Sequence, residues 1–208
     1  MISKGHTLLL EEALRIFLKK YPDLYAKYDS LDDLRQGMID PDYVEKPLGS
    51  HYGIYDEKTD RFNNRIIKSE INAFSMLIEN YKIAIKEKNL YRLGFALHFV
   101  VDMLTIPHAI GLTDVTFKNI FIRPHLKYER FTALNMNKYY KDIEIDEEYF
   151  LQDIKEKMKK QTKLILSFEK KMKKKYYDEI NYIMIPIILT HLVGFLYRYR
   201  KEVNNGKN

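Results

Sequence analysis

Five of the six histidines in this 208-residue chain stand among carboxylates, in the chain order His6, Asp42, His51, His98, Asp102, His108, His125 and Glu129. That order and spacing suit a multinuclear metal site. The chain has no cysteine, so only nitrogen and oxygen ligands remain, and imidazole with carboxylate favours zinc. Within Leu93–Asp102 a helix would set His98 and Asp102 four apart, on one face and one turn from each other, where a single ion could bridge them. His125 and Glu129 repeat the spacing, and His108 follows Ile106-Pro107. Clustered divalent ions lower the pKa of a bound water, orient it in line with phosphorus and neutralise charge on phosphoryl and leaving oxygens. Such a site hydrolyses phosphodiesters or phosphomonoesters.

Each donor alone has a plainer reading. His98 on an apolar helix would by itself be a hydrogen-bonded core histidine, and His6 near a terminus a solvated side chain; the ordered set of eight outweighs those readings. His191, in Leu189-Thr190-His191-Leu192, has no such company and is expected to pack in a closing helix. The absence of cysteine also removes disulfides, thiolate zinc sites and cysteine nucleophiles.

Helices must position these residues. Leu8, Leu9, Ala13, Ile16 and Phe17 recur at three-to-four spacing, as do Ile67, Ile71, Phe74, Ile78, Tyr81 and Ile85. Further helices are expected at about 89 to 105, 124 to 138, 147 to 175 and 178 to 200, punctuated by Asn89, Pro107 and Pro124. No convincing alternating strand is found. Five or six helices make an all-α, single-domain bundle over residues 1–203, with a frayed polar tail at 204–208. Two stretches resist helix assignment, Gly37 to Arg65 and Ile106 to Pro124, and both carry candidate ligands, as long loops in compact domains often do.

The apolar run from Tyr182 to Tyr197 contains Pro186, His191 and Gly194 and falls short of the ~20 residues that span a bilayer. It reads as a buried closing helix. The N-terminal segment is too short in its apolar run and too acidic afterwards, at Glu11-Glu12, for a secretory signal, so a cytoplasmic location is expected. The net charge is +6, and residues 155–175 hold ten lysines against Glu156 and Glu169. Leu151, Ile154, Met158, Ile165, Phe168 and Met172 give that segment an amphipathic pattern whose lysine face is ordinary solvated surface, or else attracts an anionic membrane or nucleic acid. No obligate protein partner is implied. The seventeen tyrosines form no stacking motif, but Tyr43, Tyr52 and Tyr55 neighbour proposed ligands and are candidate substrate contacts.

The segments Gly37-Met38-Ile39-Asp40-Pro41-Asp42-Tyr43, Ser50-His51-Tyr52, His98 to Ala109 and His125-Leu126-Lys127-Tyr128-Glu129-Arg130-Phe131 resemble the bacterial zinc-dependent phospholipases C, whose fold is shared with fungal single-strand nucleases. The likeness runs from His6 to Phe131 and includes the spacings of four from His98 to Asp102 and ten from His98 to His108. It implies one zinc held by Asp42, His51, His98 and Asp102, a second by His108, His125 and Glu129, and a third sharing Asp102 with His6. It also implies that Asp42 acts as general base toward the attacking water, with Asp40 the competing carboxylate. Glu129 stands where the nuclease branch carries aspartate, which favours the phospholipase branch.

The chain departs from the family at two points. Exported relatives complete the third site with an N-terminal tryptophan, and this chain has none; either the Met1 amine stands in or two ions bind. Tyr43 matches the tyrosine of choline-binding relatives, whereas Leu48 stands where they carry an aromatic. The resemblance therefore implies a zinc-dependent phosphodiesterase acting on a phosphate ester, with two or three zinc ions. A nucleotide or oligonucleotide phosphodiesterase, a cyclic nucleotide signal included among its substrates, is the alternative, and a non-catalytic binder of a phosphorylated ligand a third reading.

Overall fold

A helix that is apolar on every side can be stable in water only if other elements wrap it, and Leu90–Leu104 is such a helix: all its residues except Tyr91 and Arg92 are buried. It is the axis of the computed structural model, which describes residues 3–23, 31–44, 50–63, 71–109, 122–140, 143–168 and 174–205, without the side chains of 3, 54, 107, 109, 122–127 and 174. In chain order the elements are α1 (Ser3–Lys20), α2 (Asp32–Ile39), α3 (Pro41–Val44), β1 (Ile54–Asp56), β2 (Arg61–Asn63), α4 (Ala73–Glu87), α5 (Leu90–Leu104), α6 (Ile106–Ala109), α7 (Ile122–Asn135), α8 (Glu147–Leu151), α9 (Ile154–Leu166) and α10 (Tyr177–Asn205). Short 3-10 turns at Met136–Lys138 and Lys174–Tyr176 complete them.

The helix ends are set by local chemistry. The Asn72 side chain accepts from the backbone N–H groups of Phe74 and Ser75 while the Ser75 hydroxyl accepts from the Asn72 N–H, a reciprocal cap that starts α4. Lys88, in the left-handed region at φ 53°, ends it. Asn89 then caps α5 by accepting from the Arg92 N–H at 2.9 Å. Two such starts in succession fold α4 back along α5. Beyond the caps, Leu97, Phe99, Val100 and Val101 are fully buried, and each large apolar side chain removed from water contributes roughly 1.5–3 kcal/mol.

On the other side α2 crosses α5 at backbone contact. A Cβ on Gly94 would lie 2.1 Å from the Leu34 carbonyl oxygen, and one on Gly37 2.0 Å from that of Tyr91. The missing side chains let the helices approach closely enough for the Met38 carbonyl near the end of α2 to meet His98 on α5. α1 and α10 pack side by side against this pair, and α8 lies on α10, where the Phe150 ring fits against Gly194.

The all-α expectation holds, with departures in detail. Residues 54–56 and 61–63 form a small antiparallel hairpin, Tyr55 opposite Phe62; three-residue strands are too short to leave an alternating pattern. Of the two stretches expected to lack helix, the first contains the end of α2 and all of α3, and the second contains α6 and the start of α7. The helix expected over 147–175 breaks at 152–153, because Asp146 and Asp153 each cap a new helix, accepting from Tyr149 N–H and Glu156 N–H. α10 contains Pro186, yet Thr190 donates its hydroxyl to the Pro186 carbonyl at 2.8 Å and the helix continues. Although it is the one described helix long and apolar enough to cross a bilayer, most of its apolar stretch is buried in the core. It also runs through Asn204 and Asn205, where fraying was expected, with Val203 buried beneath the last turn.

Candidate metal centre

Asp102 sits in the middle of the site, fully buried, one turn beyond His98 on α5. Its Oδ2 lies 2.7 Å from His51 Nδ1 and 3.1 Å from His98 Nε2; its Oδ1 lies 3.2 Å from His6 Nε2 and 3.4 Å from His108 Nδ1. Four imidazoles thus surround one carboxylate. They arrive from four elements: His6 from the first turns of α1, His51 from the segment leading into β1, His98 from α5 itself and His108 from α6. Asp42, on α3, closes the ring, with Oδ2 3.5 Å from His6 Nδ1 and Oδ1 3.7 Å from His98 Nε2. Glu129, on α7, puts Oε1 3.4 Å from His108 Nε2.

Two backbone carbonyls fix which nitrogens are free. His98 Nδ1 donates to the Met38 carbonyl at 2.9 Å, and His108 Nδ1 donates to that of His51 at 3.2 Å. Each therefore presents the lone pair of Nε2 to the site. Tyr52 stacks on His108, with centroids 5.1 Å apart and planes 16° from parallel, and holds the ring from its other face. The segment of His51 and Tyr52 is itself anchored: Tyr52's carbonyl accepts from the Ala73 N–H at 3.0 Å, and Asn72 donates to the Phe62 carbonyl at 2.9 Å. α7 is tied to α10 by buried Asn181, which accepts from Tyr128 at 2.7 Å and donates to Thr132 at 3.0 Å, flanking Glu129 on both sides.

The electrostatics follow from crowding charge into a dry place. Burial alone would raise the Asp102 carboxyl, but the charges of His108 and His98 and the hydrogen bond from His51 outweigh it and hold it well below the usual carboxylate range. For Asp42, burial is likewise overcome, here by the His6 ring 3.5 Å away, and the carboxyl is lowered. Burial pushes His51 down, yet its bond to Asp102 and that carboxylate's charge raise it on balance. At His98 burial prevails and the ring is lowered. The Tyr52 hydroxyl is pushed up to about 12, first by burial and then by the negative charge of Asp102 and Glu129.

Such an arrangement fits a cation. In a tetrahedral zinc shell with bonds of about 2.0–2.1 Å, donor atoms stand roughly 3.3 Å apart, and the contacts here run from 2.7 to 3.7 Å. His6 Nδ1 is buried without a hydrogen bond although Asp42 faces it. The His98 lone pair faces a carboxylate oxygen, an acceptor opposite an acceptor, which is unfavourable unless something positive lies between them. Two overlapping groups meet the distance requirement for one ion each: His6, His98 and Asp102, and Asp42, His51 and His98.

Seven of the eight residues proposed from the sequence therefore converge. The eighth, His125, lies on α7, but its side chain falls outside the described residues, as does Met1. Asp40 turns elsewhere, accepting from Gln36 and, at 3.0 Å, from Tyr91. Of the tyrosines, Tyr43 is two-thirds exposed beside Asp42 and Tyr52 is buried in the site. Tyr55 donates to Asp60 in the hairpin turn, with Lys159 and Lys163 over its ring. Part of the lysine face is engaged within the protein: Lys155 and Lys159 pair with Asp60 at 2.7 and 3.3 Å, and Lys163 with Glu57 at 2.6 Å. The carbonyls of Met38 and His51 and the Asn181 network carry no side-chain signal at the positions they orient, and sequence reasoning missed them.

Comparison with known proteins supports the same reading. By structure the chain resembles an alpha toxin from Clostridium absonum, with TM-score 0.78 and 19% identity over 99% of this chain and 65% of the toxin. It also resembles the Clostridium perfringens alpha-toxin from an avian strain, with TM-score 0.70 and 17% identity over 100% of this chain and 66% of the toxin. The chain thus spans slightly under two thirds of either toxin chain, and at these identities the likeness shows the fold. No curated protein sequence matches the chain. Residues 5–183 match the family described as zinc dependent phospholipase C. Since that match begins one residue before His6 and runs past Glu129, taking in every donor described above, the chain belongs to the zinc-dependent phospholipase C family.

Proposed function

We propose that the protein is a zinc-dependent phosphodiesterase of phospholipase C type, which cleaves a phospholipid-like phosphodiester by attack of water on phosphorus. The observation that carries this reading is the uneven exposure of the site. The side chains of Asp102, His6 and His98 are fully buried and those of Glu129, His108 and His51 nearly so, whereas that of Asp42 is 23% exposed. Among the described donors, one carboxylate stands at the mouth and the rest form the floor.

Zinc held by the floor residues would supply Lewis acidity, making water a stronger nucleophile and offsetting charge on the phosphoryl oxygens. Asp42 then accepts a proton from the attacking water. Its depressed pKa keeps it ionised and able to accept at neutral pH. Met38 and His51, through their carbonyls, keep His98 and His108 in the tautomers that leave Nε2 free. Tyr43, exposed next to Asp42, offers an aromatic edge to the substrate's headgroup. Asp40, held by Gln36 and Tyr91, has no part in the proton transfer.

The test is hydrolysis of phosphatidylcholine vesicles and of bis(p-nitrophenyl) phosphate by the zinc-loaded protein, with single-stranded oligonucleotides as a third substrate. Asp42→Asn, whose amide oxygen still faces the site, should lose on the order of 10²-fold or more in turnover at saturating zinc, the usual range for a general base, while Asp40→Asn stays within a few-fold of wild type. Absence of turnover on all three substrates sinks the proposal. Turnover of the oligonucleotide alone replaces it with the nuclease alternative.

A further inference from the structure

A second polar cluster lies apart from the zinc-ligand residues, where α8, α9 and α10 meet. Its walls are the rings of Tyr149, Phe150 and Phe195, and its polar members are Lys157, His191 and Arg198. Lys157 is half-buried, with Nζ 4.4 Å from the Tyr149 centroid and 6.0 Å from that of Phe150. Its neighbour Arg198 uses Nε on Glu202 at 3.0 Å and Nη1 on the Gln152 carbonyl at 3.1 Å, leaving other N–H groups of its planar fork.

Behind these cations sits His191, only 5% exposed. Its Nδ1 donates to the Ile187 carbonyl at 2.8 Å, so Nε2 carries a lone pair, and that atom is buried without a hydrogen-bond partner. Burial pushes the ring down to about 4, so at neutral pH it is an acceptor and not a donor. The same pocket lowers Lys157 to about 8, through burial first and then the charge of Arg198, against the milder pull of Asp146 and Asp153.

From this geometry we infer that the pocket is a second anion site, which takes an oxyanion that still carries one O–H, namely hydrogen phosphate. Two cations at the mouth select a negative charge, and the buried lone pair of His191 requires the inward-facing group to be a donor. The space agrees. The pocket leaves about 20 Å³ for the centres of water-sized groups, within about 310 Å³ of empty space that includes the open solvent at its mouth. One water-sized group needs roughly 10–15 Å³. A single hydroxyl therefore fits inside while the remaining oxygens face Lys157 and Arg198. Sulfate has the same shape and charge but no proton to donate. A phosphomonoester loses its last O–H above a pH of about 6, so at neutral pH hydrogen phosphate is the ligand that satisfies both requirements.

The test uses the zinc-loaded protein labelled with ¹⁵N-histidine, titrated at neutral pH and matched ionic strength with sodium phosphate, sodium sulfate or methyl phosphate. Phosphate can also reach the zinc centre, so the readouts are local: the Nε2 resonance of His191, and the rate of Lys157 acylation followed by mass spectrometry. Phosphate should shift the His191 resonance and protect Lys157, with an affinity roughly tenfold above that for sulfate or methyl phosphate, the share of one hydrogen bond. Lys157→Met should abolish the His191 response, and His191→Leu should leave Lys157 protected equally by phosphate and sulfate. An unmoved His191 resonance at saturating phosphate, or equal responses to phosphate and sulfate in the wild type, overturns the inference. The Lys157→Met comparison decides the matter if the His191 variant does not fold.

Discussion

Asp102 contributes through number of contacts more than through any one of them. It has an imidazole within 3.4 Å on four sides, and replacing it by asparagine removes the charge while keeping the shape. Asp102→Asn should therefore weaken zinc binding by at least ~10²-fold, beyond the 10–100-fold typical of residues that act only through a ligand, as read by competition with a chelating dye. It should also return His51 toward its ordinary pKa, because the Asp102 bond and charge are what raise it. At this scale the sequence was informative. Imidazoles and carboxylates can hardly be mistaken for anything else, and seven of the eight donors meet as their spacing suggests. What it did not contain were the carbonyls of Met38 and His51: every residue has a carbonyl, and only the fold decides which one faces a histidine.

Elements decide whether those donors are held in place. α2 carries Met38 and leads directly into α3 with Asp42, and both reach the site only because α2 lies against α5 at Gly37 and Gly94. Gly94→Ala places a methyl group 2.1 Å from the Leu34 carbonyl, so the helices must part. The expected cost is on the order of 1–3 kcal/mol, as for other overpacked positions, read from urea midpoints. Zinc affinity should fall with it, because the Met38 bond to His98 lengthens as α2 moves. A glycine inside a helical pattern announces only a weakened helix; the crossing that requires it is a matter of tertiary packing. The helix periodicities were legible for the same reason that the hairpin was not: four turns repeat an apolar face several times, three strand residues do not. Likewise the break at Asp153 depended on a cap that competes with a continuous amphipathic pattern.

For the whole molecule, the stability of the closing helix ties pH to folding. His191 is at about 4 in the folded chain against 6.5 for an ordinary histidine, so the unfolded chain takes up its proton first. Stability from this group is fully present above pH ~6.5 and is lost as pH falls toward ~4, by an amount on the order of 3 kcal/mol. Urea midpoints of the metal-free protein between those pH values should slope downward on acidification, and His191→Gln should flatten the slope in that window while leaving the steeper acid loss below it, where Asp102 and Asp42 protonate. An unchanged slope in the variant would assign the effect to other groups. The closing helix itself was legible from its apolar run, whereas the acceptor it buries beside Lys157 was not, because a single histidine gives no hint of where its second nitrogen points.

The Met38 carbonyl has one more effect. By engaging Nδ1 of His98 it leaves that ring a single coordinating electron pair, and both candidate ion groups draw on it. Two cations cannot occupy these groups as equals: whichever arrives first claims the imidazole, and the second must make do with fewer donors. Calorimetric titration with zinc should accordingly resolve a tight event followed by a weaker one, and merging of the two into identical, independent events would mean that His98 is not the contested ligand.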